Sequence, residues 1–593
     1  MSSAPFRYDA DRFREVFEHQ FGYLAGVYRN SLRFASHTAL HDPVSGRRWT
    51  YAELWADSGR LAAGMAALGL HAEDVVVFDL MNGPEFALVW IACQRLGAIA
   101  APINFRLAAG EVAHVLGDSR PAAFLFDASI SKVALEAVQL AANVHRPALL
   151  VSVNHEDWSR TTAGGGVSPG VGSGSGASVD RGVGSGSSGG VDPGVGSGSG
   201  ASVEPFEALL AAPDATPPAI PDRGIYAETT RLYTSGTTGL PKGVALPDIV
   251  EVLSAHDVIM HFPLAPGDKT LNMTPWFHRG GLYSGGPNPV FYVGAEAVPI
   301  RAFDAATVLD WVQELSLSFL IGAPTNLALL SAEQQARPRD LSSLKGIVTM
   351  GAPLDREACL RYQDLLTPRI FNGYGTTEAF WNTFLRPSDL PGHAGSAGRA
   401  CTDDDVAVVR VYEDRIADPD DLAAQDGREV GEVIVRSVKS GYSYVNNDDE
   451  QGARFRDGWL YIGDLATWDK DSYVTIIGRK DDMIISGGEN VHPTQVEAVL
   501  NEHPGVRESV VVGVPDERWG EMVVAYVVAD DPDVNVAALE QHTRNHLMLA
   551  GYKRPRAYRF VDEIPLTATG KKLHYLVKEQ ARADAQAGLL EHA

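Results

Sequence analysis

Short apolar stretches that alternate with amphipathic ones constrain the fold of this chain most strongly. Residues 74–80 have the composition of a buried strand, and residues 84–96 follow as a helix that begins with proline. The same alternation recurs along the chain, with helices predicted at 51–68 and 305–315 and strands at 123–126, 319–321 and 347–350. Strands separated by helices are typical of α/β layers built on a parallel sheet.

A second, smaller unit is predicted near the end of the chain. At 593 residues the protein is too long for a single core. Past Gly478 the pattern changes to a helix at 493–500, strands at 509–514 and 522–528, a helix at 537–549 and a strand at 560–561. We therefore expect a large N-terminal domain of layered α/β structure and a small α+β C-terminal domain.

One segment interrupts the α/β pattern. Residues 162–203 consist mostly of glycine, serine, valine and aspartate, and the sequence Val-Gly-Ser-Gly-Ser-Gly-Ala-Ser-Val occurs at both 171–179 and 195–203. Such a composition cannot bury enough apolar surface to fold by itself. We predict a disordered surface insertion, and a glycine-rich binding loop is the alternative.

Bulk composition narrows the classes of function. The net charge of −25 disfavours nucleic acid or an anionic membrane as the main partner. The three cysteines, Cys93, Cys359 and Cys401, have neither metal-site nor disulfide spacing, which fits a reducing, cytoplasmic setting. The N-terminus lacks an apolar signal core, and no apolar run is as long as a membrane span.

The densest functional signal is the run Tyr-Thr-Ser-Gly-Thr-Thr-Gly-Leu-Pro-Lys-Gly at 233–243. Glycine lets the backbone wrap around an anion with its N–H groups pointing inward, and hydroxyl and ammonium groups add donors. The run predicts a polyphosphate-binding loop formed by Thr234, Ser235, Gly236, Thr237, Thr238, Gly239 and Lys242. A flexible surface loop is the alternative. The spacing differs from the common P-loop, in which a hydroxyl residue directly follows the lysine.

A second loop is predicted at 372–378, Asn-Gly-Tyr-Gly-Thr-Thr-Glu. Asn-Gly and Tyr-Gly favour a tight turn after an apolar pair. In such a turn Tyr374 can stack on a nucleotide base. Thr376 and Thr377 can donate to phosphate, and Glu378 can bind a hard cation such as Mg²⁺. The alternative is a plain β-turn with an exposed glutamate.

Together these two runs resemble the adenylate-forming superfamily, which comprises acyl- and aryl-CoA ligases, peptide-synthetase adenylation domains and beetle luciferases. The resemblance covers about residues 30 to 580 apart from the insertion. It implies a large N-terminal domain at 1–478, a hinge at 479–482 and a small mobile C-terminal domain at 483–593. It also implies that one threonine of the 372–378 loop contacts the α-phosphate of ATP.

The resemblance implies further nucleotide contacts. Asp464, in Trp-Leu-Tyr-Ile-Gly-Asp-Leu, lies at the end of a predicted strand and would accept hydrogen bonds from both ribose hydroxyls, with Arg479 on the other side of the ribose. A solvated aspartate at a strand end is the alternative for Asp464. The adenine side would be lined by Gly351, Ala352 and Pro353, and Asn372, Gly373 and Gly375 would also bind the nucleotide.

The resemblance also implies segments that move during the reaction. Asp481 would be the hinge residue, which is a linker position in any case. Gly487 and Gly488, in the loop at 483–493, would let the backbone pass close to a pantetheine arm during thioester formation. Lys571, in Pro-Leu-Thr-Ala-Thr-Gly-Lys at 565–571, resembles the mobile catalytic lysine of the family, and the adjacent Lys572 is the second candidate.

The acyl pocket is predicted by weaker signals. His278 and Gly281, in Thr-Pro-Trp-Phe-His-Arg-Gly-Gly at 274–281, resemble the element that borders this pocket, although a satisfied core histidine is the alternative. Ala323 and Phe380 would line the same pocket. The aromatic residues that follow the 372–378 loop are most similar to aryl-CoA ligases such as those for halobenzoates. We therefore expect an aromatic, alicyclic or medium-chain acid.

The sequence thus predicts an AMP-forming acid–thiol ligase. A small carboxylic acid and ATP, with Mg²⁺, would give acyl-AMP and pyrophosphate, and coenzyme A would then give acyl-CoA and AMP. The expected catalytic residues are Lys242, Thr377, Glu378 and Lys571. An acyl carrier protein is the alternative acceptor, and a luciferase-like oxidase or a catalytically inactive acyl-nucleotide sensor are less favoured alternatives. We expect a monomer or a homodimer.

Overall fold

The structure, a computed structural model, describes residues 9–154, 202–210, 215–235, 240–354, 356–412, 414–480, 483–565, 572 and 574–593. Over these ranges the protein is a mixed α/β molecule with four β-sheets. Three sheets belong to a large N-terminal domain, and the fourth, which begins at Ile484, belongs to a small C-terminal domain. The predicted fold class is confirmed.

A seven-stranded sheet forms the first layer of the large domain. Its strands run in the order Val203–Pro205, Leu149–Val153, Ala123–Asp127, Val75–Asp79, Ile99–Pro102, Glu228–Ser235 and Pro241–Pro247. Neighbouring strands are parallel except for the last pair, which forms an antiparallel hairpin. The connecting helices are Tyr51–Ala67, Pro84–Leu96, Ala109–Ser119 and Ser131–Ala141.

A nine-stranded sheet forms the second layer. Its strands run in the order Arg399–Ala400, Phe380–Leu385, Ile370–Thr376, Gly346–Met350, Phe319–Gly322, Lys269–Asn272, Glu296–Ala297, Thr38–Asp42 and Arg47–Thr50, and its central strands are parallel. The associated helices are Ala10–Gln20, Tyr23–Arg33, Asp248–His261, Arg279–Tyr283, Pro287–Val293, Ala305–Leu315, Pro324–Ala336 and Arg356–Leu365.

One hydrophobic core joins these two layers. It contains side chains from both sheets, and every residue of helix Pro84–Leu96 is buried. Pro84 occupies the first turn of that helix, and Gly97 ends it in the left-handed conformation with φ of 78°. At helix Tyr51–Ala67, Thr50 and Glu53 form a reciprocal capping box. These local signals set the ends of both helices, which were predicted to within a residue.

A third sheet completes the large domain. It contains strands Asp404–Arg410, Gly431–Ser437, Phe455–Arg456, Trp459–Trp468 and Val474–Arg479, with the short helix Asp448–Arg454 beside it. The small domain has strands Ile484–Ser486, Glu489–Val491, Val506–Asp516, Gly520–Ala529, Ala557–Phe560 and Glu591–His592. Its helices are Pro493–Asn501, Val536–Asn545 and His574–Gln586.

Several predicted boundaries need correction, among them the strand predicted at 560–561, which is Ala557–Phe560. Val203, predicted as the last residue of the insertion, begins a strand that pairs with Leu149–Val153; residues 162–201 lie outside the described ranges. The helix predicted at 537–549 ends at Asn545, because the segment after it turns to contact the large domain. The loop predicted at 483–493 is a β-hairpin in which Gly487 and Gly488 have φ of 61° and 80°. Within the described residues, no helix combines the length and apolarity needed to cross a bilayer.

Candidate active site

A cavity of about 860 Å³ lies where the carboxyl ends of the parallel strands of the nine-stranded sheet face the small domain. Strands Lys269–Asn272, Phe319–Gly322, Gly346–Met350 and Ile370–Thr376 end at it, and the residues that follow them line it. Loops after parallel strands converge at one sheet edge, which is where α/β proteins place ligands. This topology brings together motifs that are far apart in sequence.

One wall of the cavity carries the predicted adenine and ribose contacts. Gly351, Ala352 and Pro353 line it directly after their strand, together with Asn372, Gly373 and Gly375. The hydroxyl of Tyr374 donates to the Asp464 carboxylate over 2.6 Å, so the ring predicted to stack on adenine and the carboxylate predicted to bind ribose are fixed to each other. Asp464 lies inside strand Trp459–Trp468 and not at a strand end as predicted, because a bulge beside it lets the strand continue to Trp468.

The neighbouring wall carries the predicted phosphate and cation contacts. Residues 372–376 are not in a tight turn as predicted. They belong to strand Ile370–Thr376, which pairs with Phe380–Leu385 across a bulge at Gly375, and the turn comprises 377–379. A Cβ on Gly375 would lie 1.6 Å from the carbonyl oxygen of Phe380, so glycine permits the close approach. Thr376 Oγ1 is buried and has no hydrogen-bond partner among the described residues.

Two side chains support Thr377 and Glu378, which were predicted to be catalytic. The buried guanidinium of Arg279 donates to the carbonyl oxygen of Thr377 over 3.0 Å. The hydroxyl of Tyr444 donates to the Glu378 carboxylate over 2.5 Å. Sequence reasoning missed both supporting residues, because neither Arg279 nor Tyr444 lies near the 372–378 motif along the chain.

Lys242 enters the cavity from the hairpin of strands Glu228–Ser235 and Pro241–Pro247, where it pairs with Thr234. Its ammonium contacts the Glu450 carboxylate and lies 4.9 Å from the ring centre of Tyr444. Burial works against ionisation of Glu450, but the charges of Lys242 and Arg454 outweigh burial and lower the pKa of Glu450. Of the remaining predicted phosphate-loop residues, the backbone of Ser235 ends the first strand. Gly236, Thr237, Thr238 and Gly239 lie outside the described residues.

The hairpin of the small domain closes the cavity from the opposite side. Gly487 and Gly488 line it, as does the carboxylate of Glu489 beside them. Glu489 accepts hydrogen bonds from Arg106 over 2.8 Å and Asn104 over 3.1 Å, and its other contact is His278 Nε2 at 3.1 Å. Burial disfavours the charge of Glu489, but His278, Arg106 and Lys553 outweigh burial and lower its pKa. His278 is therefore a contact between domains and not a core histidine.

The part of the cavity that was predicted to bind the acyl group is aromatic. Phe380 and Ala323, which were predicted to line the acyl pocket, both line the cavity, as do Phe277, Met350 and Trp381. Gly281 does not line it, which corrects the prediction, because a Cβ there would lie 1.8 Å from the Pro275 carbonyl oxygen. Its neighbours Arg279 and Gly280 line the cavity in its place.

A group of cations surrounds Trp519, next to the small-domain hairpin. The guanidinium carbons of Arg518 and Arg556 lie 4.8 and 5.2 Å from the Trp519 ring, and Gly487 N–H donates to the Trp519 carbonyl over 2.6 Å. Burial and then the charges of Arg554 and Arg518 lower the pKa of Arg556, which shows that these cations repel one another. Guanidinium groups clustered in this way suit a nucleotide phosphate.

Lys571, predicted to be the mobile catalytic lysine, and Asp481, predicted to be the hinge residue, lie outside the described residues. The backbone of Arg479 pairs with Asp464 at the end of the third sheet. Lys572, the second candidate for the mobile lysine, donates to Glu497 over 2.9 Å and to the Ser509 carbonyl over 2.7 Å inside the small domain.

Fold and cavity together define a nucleotide-dependent enzyme with two domains. The model of the AMP-binding enzyme family matches residues 27–444, and that of the AMP-binding enzyme C-terminal domain matches residues 495–571. The chain belongs to this family, and it is a member of the adenylate-forming superfamily, as its motifs predicted.

Named relatives cover nearly the whole chain. A feruloyl-CoA synthase from an Amycolatopsis species is 32% identical over 530 residues, which are 89% of this chain and 93% of that protein. A 4-chlorobenzoate–CoA ligase from an Arthrobacter species is 30% identical over 552 residues, which are 92% of this chain and 93% of that protein. The predicted similarity to acyl- and aryl-CoA ligases is confirmed.

Two solved structures of one protein, the o-succinylbenzoate CoA synthetase MenE of Bacillus subtilis, differ in how well they match. A double mutant bound to its product analogue OSB-NCoA matches with a TM-score of 0.74 at 25% identity, over 93% of this chain and 98% of that chain. The complex with the acyl-adenylate intermediate OSB-AMP matches with a TM-score of 0.61 at 25% identity, over 93% of this chain and 97% of that chain.

Proposed function

We propose that the protein is an ATP-dependent carboxylic acid–CoA ligase that works in two half-reactions. In the first, the carboxylate of a small acid attacks the α-phosphorus of ATP and releases pyrophosphate. In the second, the thiol of coenzyme A displaces AMP from the acyl-AMP. The observation that carries this proposal is that one cavity collects an adenine and ribose wall, a phosphate wall and a hairpin of the small domain, represented by Tyr374, Asp464, Lys242, Thr376, Glu378 and Gly488.

The first half-reaction must bring two anions together. Two unit charges 4 Å apart repel by about 4 kcal/mol at an effective dielectric constant of ~20, so the site needs positive charge. Lys242 supplies one such charge at the phosphate wall. We assign a second to Lys571 and not to Lys572, because the Lys572 ammonium is already bound to Glu497 within the small domain.

A magnesium ion fits the donors of the phosphate wall. The Glu378 carboxylate and the buried hydroxyl of Thr376, which has no hydrogen-bond partner among the described residues, are hard oxygen ligands of the kind that Mg²⁺ takes. Bound there, the ion would neutralise phosphate charge. Tyr444 and Arg279 would keep Glu378 and Thr377 aligned with the phosphates.

The second half-reaction needs access for a thiol. Gly487 and Gly488, at the turn of the hairpin, have no side chains where they line the cavity, which leaves space for a thin pantetheine arm. Glu489 contacts His278 and so holds the imidazole at the junction of the two domains. The higher TM-score with MenE bound to a CoA-product analogue supports our assignment of this domain arrangement to thioester formation.

The small domain must rotate for Lys571 to take part in adenylation. We propose that 1–478 and 483–593 move as two bodies about 479–482, with Asp481 as the hinge residue. Strand Val474–Arg479 ends the third sheet, and strand Ile484–Ser486 begins the fourth, so few residues connect the two. A short linker between separately packed cores is suited to such a rotation.

The acceptor that we propose is free coenzyme A. The cations around Trp519 lie beside the hairpin that would receive the pantetheine arm. Coenzyme A carries an adenine and extra phosphates that this surface can bind, whereas the phosphopantetheine of a carrier protein lacks them. This surface therefore favours coenzyme A over a carrier protein.

The acid that we propose is aromatic. Phe277, Phe380 and Trp381 line the acyl side of the cavity and offer faces on which an aromatic ring can pack. The feruloyl and 4-chlorobenzoyl relatives act on acids of this kind, as their names state. Alicyclic and medium-chain acids are the next candidates.

A panel of carboxylic acids scored by pyrophosphate release tests this function. We expect release with ATP and substituted benzoates or cinnamates, stimulation by free coenzyme A, and weak turnover of palmitate. Faster acyl transfer to a carrier protein than to coenzyme A would contradict the proposed acceptor. Absence of ATP–pyrophosphate exchange with every acid would contradict the proposed reaction itself.

A further inference from the structure

The start of helix Ala109–Ser119 in the large domain is bound directly to the small domain. The Gly110 N–H donates to the Leu547 carbonyl oxygen over 2.9 Å. There is no space for a side chain at this point, since a Cβ on Gly110 would lie 2.2 Å from Met548 Sδ and 2.8 Å from the Leu547 carbonyl oxygen. The two domains therefore meet here in van der Waals contact.

A buried ion pair crosses the same contact. Lys553 of the small domain contacts the carboxylate of Glu111 in the large domain, and their side chains are 1% and 0% exposed. Glu111 also accepts hydrogen bonds from the Ala550 N–H over 3.1 Å and from the Ala108 N–H over 3.0 Å. The carboxylate thus caps its own helix and binds the other domain at the same time.

Gln495 of the small domain completes the network. Its side-chain oxygen accepts from Lys553 Nζ over 2.9 Å, and its amide nitrogen donates to Glu111 over 3.2 Å and to the Met548 carbonyl over 2.9 Å. Gln495 lies in the first turn of the helix that follows the hairpin with Gly487 and Gly488. The contact with Glu111 is therefore coupled through a short rigid segment to the proposed path of the thiol.

We propose that Glu111, Gln495 and Lys553 form a domain latch, a set of positioning residues that holds the small domain in place for thioester formation. The inference rests on the proposed two-step function. Rotation of the small domain away from helix Ala109–Ser119 separates Lys553 from Glu111 and returns both charges to water. The latch therefore stabilises one domain arrangement and is irrelevant to the other.

Removing the charge of one latch residue leaves the other charge buried and unpaired, whereas removing both charges leaves a neutral pair. Glu111→Gln leaves the Lys553 ammonium buried without its counter-charge, and Lys553→Met does the same to the Glu111 carboxylate. A lone buried charge is strongly unfavourable, whereas a neutral pair of similar size is often tolerated. The double variant Glu111→Gln with Lys553→Met is therefore expected to recover much of the loss of either single variant.

The two half-reactions are measured separately on the full chain, with an acid from the panel that supports exchange in the wild type. We expect ATP–pyrophosphate exchange within about threefold of wild type in all variants. The single-turnover rate of preformed enzyme-bound acyl-AMP with coenzyme A should fall about tenfold or more in each single variant and return to within a few-fold in the double variant. Gln495→Leu, which keeps both charges, should show a smaller loss in the same step.

Asp530→Asn is the matched control. It breaks an exposed ion pair with Arg507, at 3.3 Å, within the small domain, and should leave both half-reactions unchanged. Equal loss of exchange and thioester formation in the single variants, or a double variant no better than the weaker single one, would overturn the latch. A wild-type protein without exchange for any acid would instead reject the proposed function, so the two failures are distinguishable. If either charge variant fails to fold, Gln495→Leu decides: an unchanged thioester step there overturns the latch.

Discussion

Charged residues at the site are paired with neighbours of opposite charge. Lys242 has Glu450 as a counter-ion, and Glu489 has Arg106. A ligand phosphate must therefore compete with Glu450 for Lys242, which limits non-specific anion binding. If Lys242 binds phosphate as we propose, a polyphosphate is the anion best able to compensate for the loss of this largely buried ion pair.

Lys571 is the residue whose loss should separate the half-reactions. Lys571→Ala is expected to slow adenylation by about 10²–10³-fold, the scale of losing one donor to the transition state. The thioester step from preformed acyl-AMP should be much less affected, because we place Lys571 away from the cavity in that step. ATP–pyrophosphate exchange and single-turnover thioester formation measure the two rates. The exposed Lys470→Ala is the control, and equal losses in both steps would reject this division of labour.

The burial of Glu251 predicts how the free energy of unfolding depends on pH. It is fully buried in helix Asp248–His261, and burial raises its pKa from 4.5 to about 7. Between these values the unfolded chain has released the proton and the folded protein still holds it, so the free energy of unfolding falls as pH rises. The shift corresponds to about 3 kcal/mol at most.

Glu251→Gln removes this titration. Chemical denaturation between pH 5 and pH 8 should show a shallower decline in the free energy of unfolding for the variant than for the wild type. The exposed Glu357→Gln should keep the wild-type slope. Identical slopes in wild type and Glu251→Gln would show that Glu251 stays ionised in the folded protein.

The site residues that could be predicted from the sequence are those that lie within a dense local motif. Tyr374, Glu378 and Lys242 stand in dense motifs, and the structure brings all three to one cavity. Arg106 carries no such signal, because its contact with Glu489 joins residues 383 positions apart and depends on how the domains meet. No local pattern encodes a contact of that kind.

At the scale of elements, sequence located helices better than it located turns. Helix Pro84–Leu96 was predicted with its exact ends, and the structure shows proline at its start and glycine after its last residue. Residues 372–376 were predicted as a turn from their Asn-Gly and Tyr-Gly pairs, but pairing with strand Phe380–Leu385 keeps them extended. Tertiary pairing overrides local turn preference here.

Gly375 tests the importance of that hairpin. In Gly375→Ala the new methyl group would clash with the Phe380 carbonyl, 1.6 Å away, so the bulge must open and move Thr376 and Glu378. We expect the free energy of unfolding to fall by about 1–3 kcal/mol. We expect the rate of adenylation to fall by a larger fraction than the free energy of unfolding. Gly452→Ala, in helix Asp448–Arg454 with open space around its Cβ position, is the control and should be neutral or slightly stabilising. Wild-type adenylation in Gly375→Ala would show that the bulge does not position the turn.

At the scale of the whole molecule, one cavity has to serve two reactions. The hairpin at Gly487 and Gly488 and the latch residue Lys553 face the large domain together, so the small domain presents the face that we propose for thioester formation. Lys572, beside the proposed adenylation lysine, is anchored to Glu497 on the small domain itself. A rigid rotation of the small domain would therefore carry Lys571 along with it. It would replace the hairpin at Gly487 and Gly488 by Lys571 at the cavity.

Asp481→Pro tests whether this exchange takes place at the proposed hinge. Proline fixes φ near −65° and removes the freedom that a rotation between two arrangements requires. We expect steady-state formation of acyl-CoA to fall by about tenfold or more, with one half-reaction retained and the other lost. Asp481→Ala keeps backbone freedom and should retain both half-reactions. Unimpaired turnover in Asp481→Pro would place the rotation elsewhere, because a hinge that cannot change its φ angle cannot alternate between two domain arrangements.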